Sequence, residues 1–357
     1  MSATVVYAHA RRLRVPLARP WGPDVREVSV IVVDVRDSDG ATGHGFSWTP
    51  SIGARAVLAM LEDHVLPFTI GRPATPAGWQ DGWEHVHEAG GGGVTTIALA
   101  GLDLALWDLE CRRESLALAD ALGRHHDSQP AYGSGVNLHY SLEELVAQAR
   151  RWVEAGFDAV KVKVGRTELS DDLERLRAVR AVIGPDRALM VDANQRWDLD
   201  HAAVAANAMA ELDIAWLEEP LRADDLSGYI ALGQRTDVPI ALGENLHNIH
   251  RFRDFIEAGA VDMVQPNIVR VGGITPFLSI AALARDAGVA LAPHLLPELS
   301  AQLAFALPER TWVEDVEEAG FDQLGALVSP TGVTIDDGRA VGGPRVGLGF
   351  EFKEDIS

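Results

Sequence analysis

From Ala131 onward the sequence alternates short apolar runs with longer amphipathic stretches, and this rhythm constrains the fold more than any other property of the chain. The runs are Ala131–Val136, Ala159–Val164, Ala188–Asp192, Ile214–Leu217, Ile240–Leu242, Met263–Val264, Val289–Ala292 and Thr311–Val313. Between them Leu142–Glu154, Leu173–Val182, Ala202–Ala210, Phe252–Ala258 and Pro276–Asp286 have the spacing of helices. Eight such runs predict an α/β fold with a parallel (β/α) barrel of TIM type, whose strand exits support a catalytic surface. A doubly wound open sheet is the alternative on pattern alone, although no glycine fingerprint for a dinucleotide supports it.

The part before this rhythm is organised differently. Val28–Val35 reads as a strand, Asp37–Gly43 as a turn with Asp39-Gly40 at its tip, and Thr42–Trp48 as a return strand. Arg55–Val65 and Thr95–Glu110 have helical spacing, the latter placing Leu99, Leu102, Leu106 and Leu109 near one face. Gly90–Gly93 between them lacks the lysine and hydroxyl residue of a phosphate loop and reads as a loop or the start of a helix. The predicted division is an α+β domain over residues 1–124, the barrel over 125–322 after the polar break His125–Gln129, and a segment 323–357 that returns to the first domain. Gly338–Gly349 within that segment is expected to be loop-rich.

Composition narrows the partners. A chain of 357 residues with 47% hydrophobic and 23% charged residues has the make-up of a two-domain globular protein. A formal charge of −21 disfavours nonspecific attraction to nucleic acid or anionic membrane, without excluding a locally cationic pocket. Cys111 is the single cysteine, so there is no internal disulfide and no thiolate metal cluster. Neither a cleavable leader nor an apolar stretch of spanning length is apparent, which makes the cytoplasm the expected location.

Against 28 arginines the chain has three lysines, and two of them stand as Lys161-Val162-Lys163 in one predicted strand. That spacing puts both ammonium groups on one face. By itself the pair is also what a charged strand end looks like. Asp192, Glu218 and Glu244, however, close or follow the next three predicted strands at intervals of 26 and 26 residues. One strand and helix per interval would bring three carboxylates to one point. Like charges raise one another's pKa, so such a cluster calls for a cation, and oxygen ligands suit Mg²⁺, with Mn²⁺ satisfied by the same donors. Glu219 is expected behind the ligands, and Asn194 is placed to orient a ligand or a substrate oxygen.

The chain resembles the enolase superfamily, in particular its mandelate racemase-like branch. The resemblance is carried by Lys161-Val162-Lys163, Asp192-Ala193-Asn194, Glu218-Glu219-Pro220, Gly243-Glu244, Asp262-Met263-Val264-Gln265-Pro266-Asn267, Gly272-Gly273-Ile274-Thr275, Ala292-Pro293-His294 and Trp312-Val313-Glu314, and spans most of residues 10 to 350. It implies an α+β capping domain on a modified TIM-type barrel, a divalent metal, and removal of a proton α to a carboxylate, with the enediolate held by the metal. It further implies Lys163 as the base, Lys161 as its electrostatic partner, His294 on the opposite face of the substrate, and Glu314 as a residue that, if protonated, donates to the substrate carboxylate. Repulsion between the lysines and the nearby metal is expected to keep Lys163 neutral.

One residue departs from the pattern: Asn267 stands where racemase-like members commonly have an aspartate that pairs with the histidine. Asparagine can orient His294 but brings no negative charge to stabilise imidazolium, which weakens two-base racemisation more than dehydration. For substrate contacts the loop Arg19–Arg26 with Trp21, the cluster Tyr132, Ser134, Asn137, His139 and Tyr140, and the group Asn245, His247 and Asn248 are the candidates. Such polar crowding suits a hydroxylated acid. The leading expectation is a metal-dependent acid-sugar dehydratase acting on a small hydroxylated carboxylate and assembling as a homo-oligomer. A racemase or epimerase acting α to a carboxylate is the enzymatic alternative, and a nonenzymatic interaction protein is the alternative of another kind.

Overall fold

The computed structural model describes residues 3–22, 24–343 and 345–356. Its first sheet is antiparallel, β1 (Val5–Trp21), β2 (Val25–Asp37) and β3 (Thr42–Thr49), with β2 in the middle. The helix Val94–Glu114 lies across it, burying Leu99, Leu102, Leu106 and Leu109 with Ile31, Val33 and Val35. Glycine makes the approach close: a Cβ on Gly45 would stand 2.3 Å from both Gly101 O and Ala105 N. Cys111 is buried in this helix.

The barrel strands are β4 (Ser128–Ser134), β5 (Ala159–Lys163), β6 (Ala188–Asp192), β7 (Ile214–Glu218), β8 (Ile240–Leu242), β9 (Met263–Val264), β10 (Ala290–Leu291) and β11 (Val313–Val316). They pair in parallel from β4 through β10 in chain order, and β11 returns to pair with β4, Val313 opposite Ala131 and Val316 opposite Ser134. Between β10 and β11 the ring is closed by a side chain, the Thr311 hydroxyl donating to Leu291 O. Helices follow the strands on the outside, and Tyr132, Ala159, Met190, Trp216 and Ala241 fill an apolar layer inside. This is the expected α/β barrel with its α+β capping domain.

Several elements differ from expectation. β1 was not anticipated, because Arg11, Arg12, Arg14 and Arg19 mask its half-buried alternation at the sheet edge. It takes in the start of the expected Arg19–Arg26 loop, of which Pro23 lies outside the described residues. The last barrel strand is Val313–Val316 rather than Thr311–Val313, since the register with β4 recruits the charged Glu314 and Asp315 that an apolar criterion rejects. Helices Leu226–Gly233 and Pro297–Ala306 were also unexpected. The expected loop Gly338–Gly349 contains β13 (Arg339–Gly342), which pairs with β12 (Val333–Asp336) and with the start of β4; Pro344 lies outside the described residues. Beyond it Phe350 and Phe352 pack against Phe46 of β3 at ring centroid distances of 4.9 and 5.3 Å. Among the described residues no helix is long and apolar enough to cross a membrane.

Candidate active site

Register builds the centre of the site. Lys163, Asp192 and Glu218 are aligned neighbours at the ends of β5, β6 and β7, so their side chains leave the ladder side by side at one end of the barrel. Glu244 arrives two residues after β8 through Gly243, whose φ of 150° and contact with the next strand exit exclude a side chain: a Cβ there would lie 2.6 Å from Gln265 N. His294 follows β10, its backbone N–H donating to Pro266 O at 3.2 Å.

These residues form one buried charged cluster. Lys161 Nζ lies 2.8 Å from Glu218 Oε2 and 2.8 Å from Glu314 Oε1, and 5.4 Å above the Tyr132 ring. Lys163 Nζ pairs with Asp192 Oδ2, and His294 Nε2 stands 2.5 Å from Glu244 Oε2. Gln265 and Trp216 donate to Glu218 Oε2 at 2.8 and 3.4 Å. Asn194, at a φ of 44°, donates its backbone N–H to Asp192 Oδ1 at 2.8 Å. Ser134 donates to Glu314 Oε1 at 2.7 Å, and Leu295 N donates to Glu314 Oε2 at 2.9 Å. Asn137 accepts from Lys163 N at 2.9 Å and so holds the strand exit that carries the lysine.

The charges do not balance. Five carboxyls, Asp192, Glu218, Glu219, Glu244 and Glu314, gather beside Lys161, Lys163, His294 and Arg270. Burial opposes the charge on Glu218, and the neighbouring Asp192 adds to it, pushing Glu218 up to about 7. Burial and Glu244 push Glu219 well above the usual carboxylate range, and its Oε1 is buried without a partner. Uncompensated negative charge and an orphaned carboxyl oxygen beside an all-oxygen donor set are what a hard divalent cation would satisfy. Ligand atoms of Glu218, Glu244 and His294 lie within 4.8 Å of one another. For a Mg²⁺-sized ion the carboxylates are the better donors, and His294 is already turned toward Glu244.

Two protonation states are set by the balance of burial against neighbouring charge. Burial pushes Lys163 down and Lys161 adds to that, but Asp192, Glu244 and Glu218 together raise it further, so without a cation this arrangement favours an ammonium; the neutral amine is the state expected beside a bound metal. Glu314 was expected to donate to the substrate carboxylate if protonated. Burial favours protonation, yet Lys161, His294 and Lys163 together outweigh it and hold Glu314 down at about 2, an ionised carboxylate.

Asn267 explains how His294 is set. Its Oδ1 accepts from Val269 N and Arg270 N, both at 3.1 Å, which fixes the amide and turns Nδ2 to His294 Nδ1 at 3.0 Å. Nδ1 is thus an acceptor and the imidazole proton sits on Nε2. Burial lowers the His294 pKa, and Glu244 and Glu314 raise it further than burial lowers it.

The proposed substrate contacts separate. Tyr132 lies one layer beneath Lys161, fully buried, edge-on to Trp216, with its hydroxyl unpartnered. Trp21 packs edge-on to Trp48 within the capping sheet. His247 lines a cleft of about 490 Å³ with Gly90, Gly91, Gly92, Asn245 and Asn248, and Asn245 in turn donates to Glu219 and Glu244 at 2.7 and 2.9 Å. Sequence reasoning missed Arg270, which donates to Asn245 Oδ1 and Glu244 O. Its only signal was a place three residues beyond Asn267.

Comparison with known proteins agrees with this architecture. Residues 1–123 match the mandelate racemase/muconate lactonizing enzyme N-terminal domain, and residues 144–356 match the enolase C-terminal domain-like family. The chain belongs to the mandelate racemase/muconate lactonizing enzyme family. It is thereby an enzyme of the enolase superfamily. Among its relatives are a 3,6-anhydro-alpha-L-galactonate cycloisomerase from Streptomyces coelicolor, 36% identical over 92% of this chain and 90% of the other, and the L-talarate/galactarate dehydratase of Salmonella typhimurium, 36% identical over 92% and 81%. The L-talarate dehydratase from Polaromonas sp., solved with Mg and L-glucarate, superposes with a TM-score of 0.87 at 34% identity, covering 99% of this chain and 96% of that one.

Proposed function

We propose that this family member dehydrates a sugar acid to a 2-keto-3-deoxy acid, with Asp192, Glu218 and Glu244 holding Mg²⁺. The observation that carries the reading is the charge-excess carboxylate cluster with Lys163 on one strand exit and the Nε2–H of His294 on another. Asp192, Glu218 and Glu244 would hold the cation, which would take up their charge, leave Lys163 free of its ion pair, and supply stabilisation of the charge that develops on the substrate carboxylate. Lys163, neutral once released, takes the α-proton, and the C–H electron pair moves into the carboxylate to give an enediolate. Lys161, held between Glu218 and Glu314, adds a fixed positive field. Return of that electron pair expels the β-hydroxyl, to which His294 Nε2–H donates a hydrogen bond. The proton on Lys163 and the departing hydroxide together make the one water lost, and the enol left behind ketonises.

Asn267 favours this reading over racemisation, because a base on the second face would need a free Nε2 lone pair and the fixed amide keeps the proton there. We also propose the division into a capping domain ending near residue 124 and a barrel ending near residue 322, supported by the separate first sheet and the return of Phe350 and Phe352 to it. The experiment is a screen of Mg²⁺-loaded protein against aldarates, aldonates and 3,6-anhydro-L-galactonate, read by 2-keto-acid formation and product mass. Keto acid with loss of 18 mass units (one water) is the expected outcome. A product of unchanged mass would replace dehydration by cycloisomerisation or epimerisation.

A further inference from the structure

The turn that carries Asn267 and Arg270 is anchored in the other domain. Helix Ile274–Ala287 starts at Gly273, which has no side chain to cap it. The cap comes from Asp103 on the capping-domain helix, 2% exposed, whose Oδ2 accepts from Thr275 N at 3.0 Å and whose Oδ1 accepts from the Thr275 hydroxyl at 2.6 Å. Trp107 Nε1 donates to the same hydroxyl at 3.0 Å, and Trp79 Nε1 donates to Gly272 O at 2.8 Å. The fit leaves no slack, since a Cβ on Gly273, at a φ of 116°, would stand 2.3 Å from Asp103 Oδ2.

From there the backbone runs back to the site without a free joint. Gly273 N donates to Ile268 O at 2.8 Å and Val271 N to Asn267 O at 3.0 Å. The Asn267 side chain is held by Val269 N and Arg270 N and faces His294 Nδ1. One nine-residue turn, 267–275, thus meets the capping helix at one end and the imidazole at the other.

We propose that Asp103 is a positioning residue for His294, acting across the domain junction through the Thr275 cap and the Asn267 amide. The proposal rests on the reading of Lys163 and His294 given above. It makes the leaving-group side of the site depend on domain contact while the Lys163 side, built within the barrel by Asn137 and Asp192, does not.

The test uses Asp103→Asn, Thr275→Val and Thr275→Ser, with Asp108→Asn as control. Asp108 lies on the same helix and is equally buried, but it holds Leu348 N at 2.7 Å and His44 N at 2.9 Å, away from the turn. With galactarate and Mg²⁺ in D₂O, Asp103→Asn and Thr275→Val should lower keto-acid formation by more than about 10-fold while α-deuterium exchange stays within about 2-fold. Thr275→Ser should restore the wild-type ratio, and Asp108→Asn should lower stability without changing that ratio. Exchange and keto-acid formation falling together in Asp103→Asn, or an equal change of ratio in Asp108→Asn, would overturn the proposal. If the wild type exchanges no α-deuterium with any sugar acid, the reading of the reaction fails by itself. The clamp is then judged by the imidazole ¹⁵N shifts of His294, assigned through His294→Asn. Loss of the single Nε2–H tautomer in Asp103→Asn supports it, and unchanged shifts refute it.

Discussion

At the scale of single residues the site separates proton removal from leaving-group assistance. Lys163→Ala should remove α-proton exchange by roughly 10²–10⁴-fold while leaving Mg²⁺ affinity largely intact, and normal turnover in a folded variant would exclude Lys163 as the base. Asn267→Asp places a carboxylate where the amide now faces Nδ1. The negative charge favours imidazolium, so the His294 limb of the pH–rate profile should move up by about 1–2 pH units, with α-exchange retained. An unmoved limb would show that position 267 does not govern the imidazole. The Lys161-Val162-Lys163 pair, the three spaced carboxylates and the odd Asn267 were legible because strand period and barrel repeat convert spacing into proximity. The direction of the Asn267 amide was not, since it depends on which backbone N–H groups the turn aims at Oδ1. Nor were the protonation states of Lys163 and Glu314. Each is decided by burial against the summed charge of several neighbours, and sequence separation reports none of those distances.

At the scale of elements, strand exits and the residues that cap the following helices do most of the placing. Asn248 caps helix Ile249–Glu257 through Oδ1 to Arg251 N at 3.1 Å, and its Nδ2 donates to Gly91 O at 3.1 Å, tying the capping-domain glycine run to the barrel. Asn248→Ala should therefore cost about 1–2 kcal/mol in urea unfolding, more than loss of a cap alone. The comparison is Ser141→Ala, which breaks a capping box confined to one helix and should cost about 1 kcal/mol. Equal losses would mean that the Gly91 tether contributes nothing. Helix Leu142–Glu154 was readable to the residue from its spacing, and β6, β8 and β9 from their apolar runs. β11 and β1 were not, because their charged residues are tolerated only by the neighbours they meet: Glu314 by Lys161 and Ser134, the β1 arginines by an exposed edge. The long-range pairing of β11 with β4 has no local signature at all.

For the whole molecule, burial of carboxyls away from the site makes stability fall as pH rises. Burial pushes Glu298 up to about 7 and Asp103 up to about 7. A carboxyl whose folded pKa is raised binds more protons in the folded chain than in the unfolded one. Its contribution is complete below about pH 4 and is lost as pH climbs through about 7. Ionised Glu314 works in the opposite sense, its contribution lost as pH drops from about 4.5 toward 2. Thermal stability should accordingly peak on the acid side of neutrality and decline toward pH 8. Glu298→Gln should flatten that decline by on the order of 3 kcal/mol, and an identical slope in the variant would show that Glu298 is not its source.

Phe46 reaches its aromatic partners Phe321, Phe350 and Phe352 only across some 300 residues of chain. During synthesis, at roughly 5–20 residues per second, the first sheet therefore emerges with one face of its core unsealed and waits, at that pace, for something like a quarter of a minute or longer. β4 waits similarly for β11. Neither part can be finished before the other has been made, so a ribosome-bound intermediate of this enzyme leaves Phe46 and the apolar residues around it uncovered until the last strand of the barrel and the segment beyond it arrive.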